Sequence, residues 1–280
     1  MTLDYYKKHL GRIPLFLEKY LQAPSLLRLK RIGYFCGMDY ASKDVYDFRE
    51  KITRYDHSLT TALMTYKLTR DKKATLAGLF HDISTPCFAH VIDYMNEDYA
   101  NQESTEEYTE EILKNDTYLQ ECLKEDDIPI EDIIDFKKYT VVDNKRPKLC
   151  ADRLDGIILT SIGWTKNITE EDIKNIVGDI HVYTNEKGEK EIGFIRHDIA
   201  NDVVKKSEEI DIYCHSKEDN YMMDLLGKIV KLGIKNKLLS YKDLYRLDEG
   251  ELLKRLIETD NEELLSLLNQ FILKKKEDIQ

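Results

Sequence analysis

From Arg54 to Arg70 the chain reads RYDHSLTTALMTYKLTR, and Leu59, Ala62, Leu63 and Tyr66 recur at i, i+3, i+4 and i+7. That stripe is one face of a helix. The next stretch, DKKATLAGLFHDI (71–83), repeats the pattern with Leu76, Leu79, Phe80 and Ile83. Only a short polar turn separates the two predicted helices, so they should pack antiparallel. KLCADRLDGIILTSIG (148–163) predicts a third helix, with Cys150, Leu154, Ile157, Ile158 and Ser161 in register and Gly163 as its stop. Strand periodicity is clear only once. DIHVYTNEKGEKEIGFIR (179–196) alternates on both sides of Asn185-Glu186-Lys187-Gly188, the signal of a β-hairpin.

Elsewhere the pattern is looser. PSLLRLKRIGYFCGMDYASKDVYDF (24–48) begins helical and loosens around Gly33 and Gly37. The very acidic stretch from Asn96 to Asp135 contains a capping box, Ser104 followed by Glu107. From Asp198 onward the chain reads as helical and ends in the charged segment KKKEDIQ. No internal repeat or separating linker is visible. The expected architecture is mainly α: a helical bundle over 1–165, then a hairpin and C-terminal helical extension over 166–280, packed on the core as one structural unit.

Composition narrows this picture. Only 12 Gly and 5 Pro in 280 residues argue against a sandwich of many short strands. A net charge of −11 disfavours binding nucleic acid or an anionic membrane through the surface at large, while a local cationic site can still take an anionic substrate. The five cysteines, 36, 87, 122, 150 and 214, are odd in number and form no CxxC. With no secretory signal at the N-terminus, they predict reduced thiols and a cytoplasmic location. No apolar run reaches the ~18 residues of a membrane span.

The candidate chemistry sits at predicted helix ends. His57 lies near the start of one helix, His81 and Asp82 at the end of the next, and Asp152 near the start of the third. Two imidazoles and two carboxylates form a set suited to Mn²⁺, Fe²⁺, Mg²⁺, Co²⁺ or Ni²⁺, and able to accommodate Zn²⁺. A metal with open positions polarises a phosphoryl oxygen and acidifies water. Against this, a buried histidine is more often a hydrogen-bonded core residue, and a second His-Asp dipeptide occurs at 197–198. His9, His181 and the Cys214-His215 neighbours are weaker candidates, and Trp164 reads as core. It is the ordered set, not the dipeptide, that carries weight.

The order H…HD…D, in RYDHSL (54–59), LFHDI followed by PCFAH (79–90), and ADRLDG (151–156), resembles the HD-domain metal-dependent phosphohydrolases. Within them it is nearest the deoxynucleoside triphosphate triphosphohydrolase-like branch. The likeness covers roughly residues 26–162, with a fainter echo over 238–256. It implies an HD-domain helical bundle with His57, His81, Asp82 and Asp152 as metal ligands. It also implies that Arg54 contacts substrate phosphate through its planar fork. His90 is implied near the substrate phosphates, as a proton donor or a neutralising charge. Asp93, on the same helical face, would orient His90, and Asp155 would stand behind the ligands. Lys145, Arg146 and Lys148 read as a solvated charge run rather than a funnel for polyanions.

This chain also departs from the branch. Thr85 stands where some relatives have a histidine, and YANQESTEEY (99–108) offers Gln102, Glu103, Glu106 and Glu107 but no histidine. Gly156 replaces a tyrosine that lines the nucleotide sugar, and Leu159-Thr160 replaces an Arg-Asp pair. The metal set is intact while the acid–base and sugar positions are rebuilt. The expected function is hydrolysis of a nucleotide or related phosphoester by metal-activated water. The alternative is a catalytically reduced protein that serves as a nucleotide or metal sensor, or as an assembly partner. The expected partner is a phosphorylated small molecule, with a nucleotide as the leading class, no membrane and no strong nucleic-acid signal; homo-oligomers are frequent in the resembling family, so a homo-oligomer is one expectation here.

Overall fold

Helices dominate residues 2–96 and 108–279, the part of the chain described by the computed structural model, and one two-stranded antiparallel sheet stands among them. The positions 102–107, which include the expected capping box Ser104–Glu107, lie outside the described residues. The order begins with α1 (Thr2–Leu10), the short turns α2 (Leu17–Tyr20) and α3 (Pro24–Arg28), then α4 (Arg54–Thr69), α5 (Lys72–Phe80) and α6 (Val91–Asn96). Next come α7 (Thr109–Asn115), α8 (Thr117–Glu125), α9 (Glu131–Ile134), α10 (Ala151–Gly163) and α11 (Glu170–Asp179). The hairpin β1 (Ile180–Thr184) and β2 (Lys190–Phe194) leads into α12 (His197–Cys214), α13 (Lys217–Lys235), α14 (Asp243–Arg246), α15 (Glu249–Ile257) and α16 (Glu262–Leu273). Among the described residues no helix is long and apolar enough to cross a membrane.

The central helix is α4. Thr53 caps it by accepting the Asp56 N–H, and the Asp56 carboxylate accepts the Thr53 N–H in return. Arg70 ends it in the left-handed region at φ 55°. Leu59, Ala62 and Leu63 are buried as the stripe predicts, but so are Ser58, Thr60, Thr61 and Thr65. Thr65 donates its hydroxyl to the Thr61 carbonyl one turn back at 2.8 Å, and Thr60 shares its one hydroxyl proton between the Asp56 carbonyl at 2.8 Å and Asp155 Oδ2 at 2.9 Å, which makes their burial tolerable. A reading that counts only apolar residues therefore underestimates how deeply α4 is enclosed. Helix α5, capped by Asp71, packs along α4 and hands over at its end to His81.

Gly163 ends α10 as expected, although the reason is spatial. A Cβ there would come within 2.4 Å of the Phe35 ring. The hairpin pairs Ile180 with Phe194 through Thr184 with Lys190. Lys148 binds Glu189 at 2.9 Å and Glu191 at 2.6 Å, so the hairpin takes up one cation of the 145–148 run. All five cysteines are free.

The C-terminal helices are tied to the segment between Asp82 and His90. Glu249, the first residue of α15, is fully buried. One carboxylate oxygen accepts the Gly33 N–H at 3.0 Å and the other accepts the Phe88 N–H at 3.1 Å. Phe88 and Ala89 both hold positive φ, 64° and 43°, a conformation that side-chain-bearing residues seldom adopt. Nearby, the Cys87 N–H reaches the Leu244 carbonyl at 2.7 Å.

Burial pushes the Glu249 carboxyl up to about 7, and the Gly33 and Phe88 N–H groups oppose that rise. A carboxyl raised on folding contributes stability that is full below its unfolded value and is lost as pH rises through the folded value. Glu249→Gln removes the titration. Its stability relative to wild type, measured by urea unfolding, should therefore rise by on the order of 3 kcal/mol between pH 4.5 and pH 8. A difference that stays constant with pH would contradict this assignment.

Candidate metal centre

Three helix ends deliver the polar set. His57 occupies the first turn of α4, His81 and Asp82 follow the last residue of α5, and Asp152 is the second residue of α10. The start of α10 is framed by backbone bonds from Ala151 to the Val141 carbonyl and from Asp152 to the Val142 carbonyl. His57 Nε2 lies 3.0 Å from Asp152 Oδ1, and His81 Nε2 lies 3.4 Å from the same oxygen. Asp82 approaches both rings, its Oδ2 3.8 Å from His57 Nε2 and its Oδ1 3.6 Å from His81 Nε2. Donor atoms of His57, His81 and Asp152 all fall within 4.8 Å of one another. Both imidazoles are buried, whereas the Asp152 side chain keeps 36% of its surface exposed, so the set opens to solvent on that side.

The far side of each ring is fixed. His57 Nδ1 stands 2.8 Å from Asp155 Oδ2, and His81 Nδ1 stands 2.8 Å from the Gly78 carbonyl. A carbonyl can only accept, so His81 carries a proton on Nδ1 and turns Nε2 inward. That Nε2 is buried and has no hydrogen-bond partner among the described residues. Two inward-facing imidazole nitrogens around shared carboxylates are the donor arrangement a divalent cation requires. Asp155 is itself fully buried and accepts from Thr60 at 2.9 Å and from Tyr6 at 2.5 Å.

Taken alone, these side chains balance their charge with protons. Burial disfavours a charged His57, yet its hydrogen bonds to Asp152 and Asp155 push it up to about 10. His81 is raised as well, with burial again opposed by the charge of Asp82 and the contact with Asp152. Burial works against the carboxylates too. Even so, the two histidines hold Asp152 well below its ordinary range, while His81 and Arg54 lower Asp82.

Arg54 is buried and pairs with Asp82 at 3.0 Å. Its guanidinium lies 5.0 Å from the Tyr34 ring centroid and 3.9 Å from the Cys36 sulfur, and its Nε has no partner among the described residues. The Tyr34 hydroxyl would stand 3.2 Å from a Cβ at Gly156, so Tyr34 takes up room that a side chain at 156 would need. His90 is partly exposed and meets Asp93 at 3.1 Å, as the spacing predicts; Asp93 is 1% exposed. The described side-chain contacts pair these two with each other and not with the four residues above.

Sequence reasoning missed several neighbours. Tyr6, Thr60 and Tyr34 carry no motif, and the one available signal was the i, i+3, i+7 face of Leu3, Tyr6 and Leu10, which marks Tyr6 as buried and in need of a partner. Asp143 and Cys150 also bring donor atoms within 4.8 Å of one another and of Asp152.

Comparison with known proteins fits this geometry. Residues 54–139 match the family model of the HD domain, which takes in Arg54, His57, His81, Asp82, His90 and Asp93, while Asp152 lies beyond it. An uncharacterized protein of Bacillus subtilis, YdhJ, is 27% identical over 256 residues, covering 90% of this chain and 74% of that one. The metal-dependent phosphohydrolase cns2 of Cordyceps militaris is 25% identical over 133 residues, 48% of this chain and 38% of that protein. The crystal structure of a hypothetical protein from Aquifex aeolicus shares the fold, with a TM-score of 0.63 at 17% identity over 93% of this chain and 72% of that chain.

A divalent ion is the cofactor that this donor set fits. Added Mn²⁺ should stabilise chelator-treated protein by about 2.7 kcal/mol once free metal reaches a hundred times its dissociation constant. His81→Gln and Asp152→Ala should lose that stabilisation in the same thermal-shift measurement. A wild-type protein indifferent to Mn²⁺, Fe²⁺, Co²⁺ and Zn²⁺ would refute it.

Proposed function

Taking residues 54–139 as the HD domain they match, we propose that this protein is a metal-dependent phosphohydrolase acting on a nucleotide or related phosphoester. The observation that carries the reading is the convergence of His57, His81 and Asp152 donor atoms beside the Arg54–Asp82 pair. His57, His81, Asp82 and Asp152 would hold the ion, whose chemistry is polarisation of a phosphoryl oxygen and acidification of water. Asp155 and the Gly78 carbonyl fix both rings with Nε2 inward, so the ligands are oriented before substrate arrives. Arg54 anchors through Asp82 and keeps a buried Nε–H without a partner among the described residues, donor capacity that suits a phosphoryl oxygen. His90, held by Asp93 and partly exposed, serves as proton donor or cationic neighbour for the leaving oxygen.

The test is release of phosphate, pyrophosphate or triphosphate from a panel of nucleotides and simple phosphoesters by Mn²⁺-loaded protein. Asp152→Ala should abolish turnover. Arg54→Ala should lower it on the order of 100-fold, as expected for loss of one preorganised charge donor. Metal-loaded wild type that releases no product across the panel would overturn the hydrolase reading.

A further inference from the structure

The first helix of the chain reaches the metal centre from behind. Tyr6 is fully buried, and its hydroxyl donates to Asp155 Oδ1 at 2.5 Å. The other Asp155 oxygen serves His57 Nδ1 at 2.8 Å and Thr60 at 2.9 Å. Because Asp155 is 0% exposed, water cannot stand in for a lost donor. Thr60 is committed as well, since its hydroxyl also lies 2.8 Å from the Asp56 carbonyl. Without the Tyr6 hydroxyl, Oδ1 would lose that donor and the carboxylate would be free to turn, which alters what His57 Nδ1 meets. Helix α1 makes a second contact at the start of α4. Lys7 pairs at 2.6 Å with Asp56, the helix-capping residue next to His57.

We propose that Tyr6 is a positioning residue of the metal centre, acting through Asp155 on the orientation and tautomer of His57. Docking of α1 and metal binding are thereby linked, each strengthening the other by the same factor. The inference rests on the assignment of His57 as a ligand. A metal-binding readout separates the two claims, since neither substrate nor turnover enters it.

The experiment titrates Mn²⁺ into chelator-treated full-length protein by calorimetry and records the visible spectrum of the Co²⁺-loaded form. Tyr6→Phe should weaken Mn²⁺ binding by roughly tenfold or more and shift the Co²⁺ ligand-field bands. Leu3→Ala, a buried apolar truncation in the same helix that leaves the Tyr6 hydroxyl on Asp155, should weaken Mn²⁺ binding less than Tyr6→Phe and leave the Co²⁺ bands of the bound form unshifted. Hydrogen exchange of residues 2–10 in the wild type should slow on adding Mn²⁺, a measurement that stands even if Tyr6→Phe does not fold. Equal affinity and equal spectra for wild type and Tyr6→Phe, or α1 exchange unaffected by Mn²⁺, would overturn this inference and leave the ligand assignment in place. A wild type that binds neither Mn²⁺ nor Co²⁺ would overturn both.

Discussion

The hydrogen bond between His57 Nδ1 and Asp155 Oδ2 is the contact on which the centre depends. It ties α4 to α10 with both partners buried. A buried carboxylate is costly unless its lone pairs are used, and Asp155 uses them on an imidazole, a threonine and a tyrosine. The same bond turns the other His57 nitrogen toward Asp152. One interaction thus satisfies a structural requirement and sets the chemistry of the open side.

Electrostatics explain why so many charged groups tolerate one another here. Asp82 and Asp152 gather around His57, His81 and Arg54, and the carboxylates stay ionised because the rings and the guanidinium face them. A cation entering such a set competes with protons, so its affinity is tied to pH. The paired arrangement of Arg54 with Asp82 also shows how one residue can belong to two tasks. The ion pair holds the side chain in place, and the Nε–H is left without a partner among the described residues.

Much of this was legible in the sequence, for identifiable reasons. Helices α4, α5 and α10 have strong periodicity, and their ends carry His57, His81, Asp82 and Asp152, so the elements and the candidate ligands came together. The hairpin was legible because its alternation flanks a turn built on Asn185 and Gly188, where the Asn185 side chain accepts the Lys187 and Glu189 N–H groups. What stayed hidden depends on contacts distant in sequence. Nothing local to Tyr6 announces Asp155, 149 residues away, and nothing local to Glu249 announces Gly33 or Phe88. Polar residues buried by bonding to their own helix, such as Thr60 and Thr65, also escape a pattern that counts only apolar side chains.

The separation of the partners along the chain has a consequence for how the protein is made. His57 meets Asp152 and Asp155 across 95 and 98 residues, so no short fragment contains the centre. Because Asp152 and Asp155 share α10, one long loop must close before these donors are within reach of one another, and that entropy must be repaid by helix packing. A bound ion can reward only a chain that is already nearly folded. It therefore acts as a lock set late on the finished molecule, not as a template around which the first helices gather.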